Sequence, residues 1–184
     1  MNAPFFSLVP MDPAANVEWR AELVRWVGED PKRASEVAGM CRLDRLFYVN
    51  TFAWTYDPRN KRMPVRPFVM FPKQVEEFPK ICDAIEVGGD TITAKSRDMG
   101  ASWLHLLAYA GSWHFDENMA YQLASRNEGL VDDSENPDSL FWKLDFLLAN
   151  FPKWLRPNYT RRKLHLFNKD TGSEIGRASC RERV

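Results

Sequence analysis

Cysteine is scarce in this chain: three residues in 184, at positions 41, 82 and 180. So few, so far apart, build neither a disulfide framework nor a four-ligand zinc site, and they fit a reduced, cytoplasmic setting. The three histidines, His105, His114 and His165, show no metal-ligand spacing. No apolar run approaches the roughly 18 residues of a membrane span, and the N-terminus lacks the charged-then-apolar order of a signal peptide, which excludes a membrane partner. An excess of one charge is missing too, with 25 basic residues against 25 acidic. The general mark of a nucleic-acid binder is therefore absent, and any DNA contact must be local. There is no internal repeat and no low-complexity linker.

The last eleven residues stand apart. Glu174 to Val184 reads E-I-G-R-A-S-C-R-E-R-V, the translation of a common sequencing-library adapter, so 174–184 is set aside as a non-native tail with its junction placed to within a residue or two. On this reading the open reading frame is truncated. Without the tail, 22 basic residues face 23 acidic ones, a net charge near −1, and two native cysteines remain, Cys41 and Cys82. What is left is enough for one domain with a sizeable core.

What the chain does contain is clear punctuation. Asp12-Pro13 and Asp30-Pro31 are N-cap and first-turn signatures. Trp19, Leu23, Trp26 and Val27 follow the first at helical spacing; Ala34, Val37, Ala38 and Cys41 follow the second. Leu43, Leu46, Phe47, Phe52 and Trp54 carry an apolar face on to Tyr56-Asp57-Pro58, which predicts a small helical layer whose aromatics serve packing. Arg59-Asn60-Lys61-Arg62 reads as a solvated charged turn. A helix is predicted through Val75, Phe78 and Ile81, and Gly88-Gly89-Asp90 turns the chain into a β-branched strand at Thr91 to Ala94.

That strand leads into Lys95-Ser96-Arg97-Asp98-Met99-Gly100-Ala101-Ser102 and then into an apolar helix carrying Trp103, Leu106, Leu107, Ala110 and Trp113. Strand, basic loop and helix start form the layout of a phosphate-binding loop. The first amides of a helix lack intrahelical partners and mark the positive end of its dipole. Lys95 adds a point charge, Arg97 a fork of donors, and Ser102 a hydroxyl suited to Mg²⁺. The spacing departs from G-x-x-x-x-G-K-[ST], because Ala101 stands where the lysine would be. Further on, Met119 to Ala124 is predicted as a parallel strand ending in Ser125-Arg126. Leu130-Val131-Asp132-Asp133 resembles a Walker B only superficially and reads as a loop. Asn136-Pro137 opens a helix with Leu140, Phe141, Leu144, Leu147 and Leu148. Lys163 to Phe167 alternates as a strand, and Asn168 to Gly172 turns into a partner strand expected to be mostly lost. Arg156, Arg161, Arg162 and Lys163 form a late basic cluster, read as solvated with phosphate contact as the alternative.

K-S-R-D-M-G-A-S-W-L resembles the deviant Walker A of the large terminase subunit of tailed bacteriophages, the ATPase that drives DNA into the capsid. F-Y-V-N-T-F-A-W-T-Y-D-P-R (Phe47 to Arg59), P-F-V-M-F-P-K-Q (Pro67 to Gln74) and S-R-N-E-G-L-V-D…N-P-D-S-L-F-W-K-L-D-F-L-L (Ser125 to Leu148) are also similar to that family, in family order, over most of residues 40–173. The resemblance implies an α/β fold of the P-loop NTPase (RecA-like ASCE) type: a truncated three-layer α/β/α core over 66–173, preceded by a helical subdomain over 1–65. It implies ATP and Mg²⁺ as ligands. Lys95 and Arg97 become the catalytic cations; Gln74, as adenine reader, joins Ser96, Asp98, Met99, Gly100, Ala101 and Ser102 in the nucleotide site, with Ser102 on the metal.

The implied parent hydrolyses ATP to translocate double-stranded viral DNA into the procapsid in the host cytoplasm. It works as a homo-oligomeric ring with a portal protein and a small terminase subunit. In that family the Walker B acids, catalytic glutamate and nuclease lie downstream of residue 173, so this chain alone is expected to bind nucleotide weakly and not to turn over. Two other readings stay open: another RecA-like translocase or helicase, which would want a G-K-[ST] at 100–102, and a non-enzymatic assembly module.

Overall fold

In the computed structural model, which describes residues 3–96 and 99–177, the two Asp-Pro pairs do start helices. Asp12 Oδ1 accepts from the amides of Ala14 and Ala15 at 3.1 and 2.9 Å, heading α1 (Pro13–Gly28). Asp30 accepts from Lys32 N at 2.9 Å, heading α2 (Pro31–Leu43). Each carboxylate satisfies amides that the first turn leaves unpaired, and each proline gives up an N–H the helix does not need. Asp44 caps α3 (Arg45–Phe52) through Phe47 N at 2.8 Å, and its other oxygen accepts from Phe5 N and Phe6 N, also at 2.8 Å. This fully buried carboxylate thus ties the N-terminal 3-10 turn, Phe6–Leu8, to α3.

Arg20 fixes α1 to the end of α3. It is buried, with its guanidinium on Asn16 Oδ1 (2.6 Å), Ala53 O (2.7 Å) and Asn50 O (2.7 Å). Burial pulls its pKa down to about 9. After α3 the chain makes a small antiparallel ribbon of β1 (Trp54–Tyr56) and β2 (Val65–Pro67), in the register Trp54↔Pro67 and Tyr56↔Val65. Then come α4 (Pro72–Val87), ended by Gly88 at φ 69°, and α5 (Ala101–Phe115). Helix α5 packs on α3, α4 and α6 (Leu140–Ala149). One cluster of buried side chains runs from Val9 to Ile175 and includes Phe47, Phe78, Leu107, Trp113, Phe141 and Leu166.

The main sheet has four strands in the order β3 (Ala120–Leu123), β6 (Glu174–Arg177), β5 (His165–Asn168), β4 (Tyr159–Arg162). β3 runs parallel to β6; β6–β5 and β5–β4 are antiparallel. The chain is thus a mixed helix-and-strand protein. No helix among the described residues is long and apolar enough to cross a membrane.

Four expectations need correction. Asn136-Pro137 does not open a helix: Asn136 Oδ1 accepts from Asp138 N at 3.0 Å in a turn, and Ser139 caps α6, which begins at Leu140. Thr91 to Ala94 forms no strand; Ile92 is 97% exposed. β-Branched content favours a strand only where a neighbour completes the ladder, and β3 takes β6 as its parallel neighbour instead. The expected strand over Lys163 to Phe167 is divided. Lys163 and Leu164 form the turn of the β4–β5 hairpin, with Leu164 in the left-handed region at φ 59°. The hairpin partner expected to be lost is present, because Glu174–Arg177 pairs on both sides and Ile175 is fully buried. The turn into it requires Gly172: φ is 74°, and a Cβ there would stand 2.9 Å from Asn118 Oδ1.

Candidate functional site

The phosphate-loop candidate is built around the start of α5. Gly100 is the N-cap, in the left-handed conformation at φ 67°, which L side chains adopt only at a cost. The first intrahelical bond is Leu104 N to Gly100 O at 3.0 Å, so the amides of Ala101, Ser102 and Trp103 head the helix ahead of the ladder. Among the described residues no side chain caps this end. Ser102 lies exposed on the first turn and its hydroxyl bonds no described residue; Ala101 is half-buried.

Gln74 reaches this loop from α4. It is 8% exposed, its Nε2 donates to Met99 O at 3.0 Å and its Oε1 accepts from Phe71 N at 3.0 Å. The carboxamide caps α4 with one end and clasps the loop with the other. A Cβ on Gly100 would meet Gln74 Nε2 at 3.2 Å, so the glycine is wanted both for its φ and for this close approach. Gln74, Met99, Gly100, Ala101 and Ser102 are therefore brought together. As an adenine reader, Gln74 would have to exchange one of these two bonds for the base. Lys95 and Ser96 are exposed and make no hydrogen bond or ion pair with a described residue. Arg97 and Asp98 lie outside the described residues.

Sequence reasoning passed over Thr93 and His105. His105 Nδ1 is 2.9 Å from Ala101 O, and a carbonyl only accepts, so Nδ1 carries the proton. That leaves Nε2 to accept from Thr93 Oγ1 at 3.1 Å when the ring is neutral. The pair joins the segment before Lys95 to the first turn of α5. Its signal was available: a histidine one turn past a helix start can bond back to the i−4 carbonyl.

Chemically, this arrangement offers an anion three head amides, the positive end of a 15-residue helix and Lys95 nearby on the chain. Among the described residues no group of His, Cys, Asp or Glu could cage a metal. Among the described residues the Ser102 hydroxyl is one oxygen open to a cation at this end of α5, which suits Mg²⁺ arriving on phosphate oxygens with most of its water kept.

A cavity of about 620 Å³ lies elsewhere, lined by Glu128, Asp132, Asp133, Asp145, Arg161 and Lys163 among others. It is floored by an ion-pair network that the sequence did not disclose. Arg161 reaches Asp132 at 2.5 Å and Asp145 at 2.9 Å, with its guanidinium over the Phe141 ring. Lys163 reaches Glu128 at 2.7 Å. Burial pushes the Asp132 carboxyl up, but Arg161 and the Leu164 amide outweigh it, and its pKa falls below the usual value. At Asp145 burial prevails over Arg161 and the pKa rises. Two members of the late basic cluster are thus neutralised inside the chain. Asp132 sits after a 3-10 turn, Glu128–Leu130, and belongs to no strand, so it is no Walker B acid here. A second cavity, about 210 Å³, lies beside His114, Trp154 and Arg156. No protein-family model matches the chain, and a search of curated proteins finds no match.

Proposed function

We propose that this chain is the nucleotide-binding part of a viral DNA-packaging motor of the large-terminase type, with a P-loop, RecA-like core. Lys95 and the head amides of α5 would hold the β- and γ-phosphates of ATP, Ser102 would face the Mg²⁺ that accompanies them, and Gln74 would set the loop. The observation that carries this reading is the start of α5, where a left-handed Gly100 opens the helix and Gln74 fastens the preceding carbonyl from below. Such a start leaves the amides of Ala101, Ser102 and Trp103 ahead of the intrahelical ladder, where an anion can take them up. The intact parent would hydrolyse ATP to move double-stranded DNA, in a ring, through a portal.

The test is binding of a fluorescent ATP analogue with Mg²⁺, followed by anisotropy. The purified chain should bind weakly and without motor-rate hydrolysis, and Lys95→Ala should weaken binding about tenfold, the worth of one charge-assisted phosphate contact. Ser102→Ala should matter only when Mg²⁺ is present. Equal binding by the wild type and Lys95→Ala would remove the phosphate-loop reading. Motor-rate hydrolysis by the purified chain would remove the reading that it binds nucleotide without turnover.

A further inference from the structure

The β1–β2 ribbon carries an exposed concentration of basic side chains. Between Asp57 and Arg66 stand Arg59, Lys61, Arg62 and Arg66 against a single acid, in a chain whose charges balance overall. The remainder must therefore be net acidic by three, and the positive charge is concentrated at one projection. The late basic cluster offers no equivalent, because Arg161 and Lys163 are held by Asp132, Asp145 and Glu128. On the ribbon, Asp57 engages Arg59 at 3.1 Å and Arg66 at 3.2 Å. Lys61 and Arg62, at the tip, are exposed and pair with no described carboxylate.

The tip is also organised in advance. Asp57 N donates to Pro64 O at 2.8 Å, Asn60 N to Asp57 O at 3.1 Å, and Met63 N to Asn60 Oδ1 at 3.1 Å. Pro58 and Pro64 limit the backbone on either side. Asp57 Oδ1 also accepts from Arg59 N at 3.1 Å. A turn bonded in this way loses little freedom when a partner arrives. The base of the ribbon is anchored: Phe68 N donates to Ala53 O at 2.9 Å, and Tyr56 packs against Trp142 with ring centroids 5.4 Å apart.

We propose that this ribbon is a contact site for duplex nucleic acid, entering a groove with its tip while Lys61 and Arg62 bond phosphates on either side. A two-stranded ribbon matches the major groove of B-DNA in width, and cations held on a stiff, narrow projection can reach both backbones at once. With no base-reading arrangement at the tip, binding is independent of sequence and set by charge. The proposal does not rest on the nucleotide reading: the ribbon would hold DNA whether or not the loop at 95–102 holds phosphate.

The experiment is anisotropy of a labelled 20-base-pair duplex with the full chain, titrated at several salt concentrations. Two phosphate contacts make the affinity fall about tenfold between 50 and 200 mM salt. Lys61→Gln/Arg62→Gln should weaken low-salt binding about tenfold and flatten the slope of log K against log salt by about 1.8. The control neutralises two exposed lysines elsewhere, Lys32→Gln/Lys153→Gln, and should change binding little. The proposal is overturned if the control loses as much as the tip variant, if the wild type does not bind duplex at 50 mM salt, or if a polyglutamate peptide or anionic vesicles displace the duplex at equal charge. A failure here leaves the analogue measurement with Lys95→Ala unaffected, so the two readings fall separately.

Discussion

His114 shows what burial does to a single titratable group. It is 8% exposed, stacked on Phe115 with centroids 4.1 Å apart, and its Nδ1 faces the Tyr48 hydroxyl at 3.2 Å. Loss of hydration, reinforced by Arg45, lowers its pKa from the ordinary 6.5 to about 4. The unfolded chain therefore takes up a proton near pH 6.5, while the folded chain resists until about pH 4. Stability from this group is complete above pH 6.5 and declines as the pH falls towards 4, by about 3 kcal/mol in all. Urea unfolding at pH 7 and pH 4.5 should show that decline, and His114→Phe should lessen it by about 2 kcal/mol, since carboxylate effects are common to both proteins. An equal decline in the two would mean that the imidazole is protonated in the fold. At the same scale, the Gln74 carboxamide is fixed at both ends. A glutamine three residues into a helix predicts the bond to Phe71 N, whereas the bond to Met99 O depends on how two helices meet.

Among the elements, β6 carries the sheet. It is the parallel neighbour of β3 and the antiparallel neighbour of β5, and Ile175 at its centre is fully buried. A chain ending at Ser173 would expose facing edges of β3 and β5 and open the core beneath Ile175. Size-exclusion chromatography of that chain should show aggregation where the 184-residue chain runs as a discrete species. A monodisperse, fully helical product would show that the helices fold without the sheet. The helices themselves follow from local chemistry. Asp12, Asp30 and Asp44 place three starts, and Gly88 ends α4. Strands depend on partners remote in sequence, so the β-branched Thr91 to Ala94 stays out of the sheet while Glu174–Arg177 enters it.

At the scale of the molecule, Arg161 joins three parts of the chain. Its guanidinium spans Asp132 in the loop after the 3-10 turn, Asp145 on α6, and its own strand β4. Asp132 has a side chain only 7% exposed, so Arg161→Met would leave it with Lys163 as its remaining nearby cation, at a cost of about 2 kcal/mol. Adding Asp132→Asn should recover more than half of that, because the buried charge is gone while the Leu164 amide keeps an acceptor. A double-mutant cycle in urea checks both figures, and strictly additive losses would show that the pair does not act as one. The sequence alone determined where the first two helices begin, which helix faces are apolar, and that 95–102 has the composition of an anion loop. These follow from spacing and residue type, which act within a turn or two of the chain. Only the tertiary structure decided which strands pair, which basic residues are neutralised and which stay free, and that Gln74 and His105 fasten the start of α5. Those outcomes depend on groups brought together across tens of residues, where packing and desolvation, rather than local preference, choose the partner.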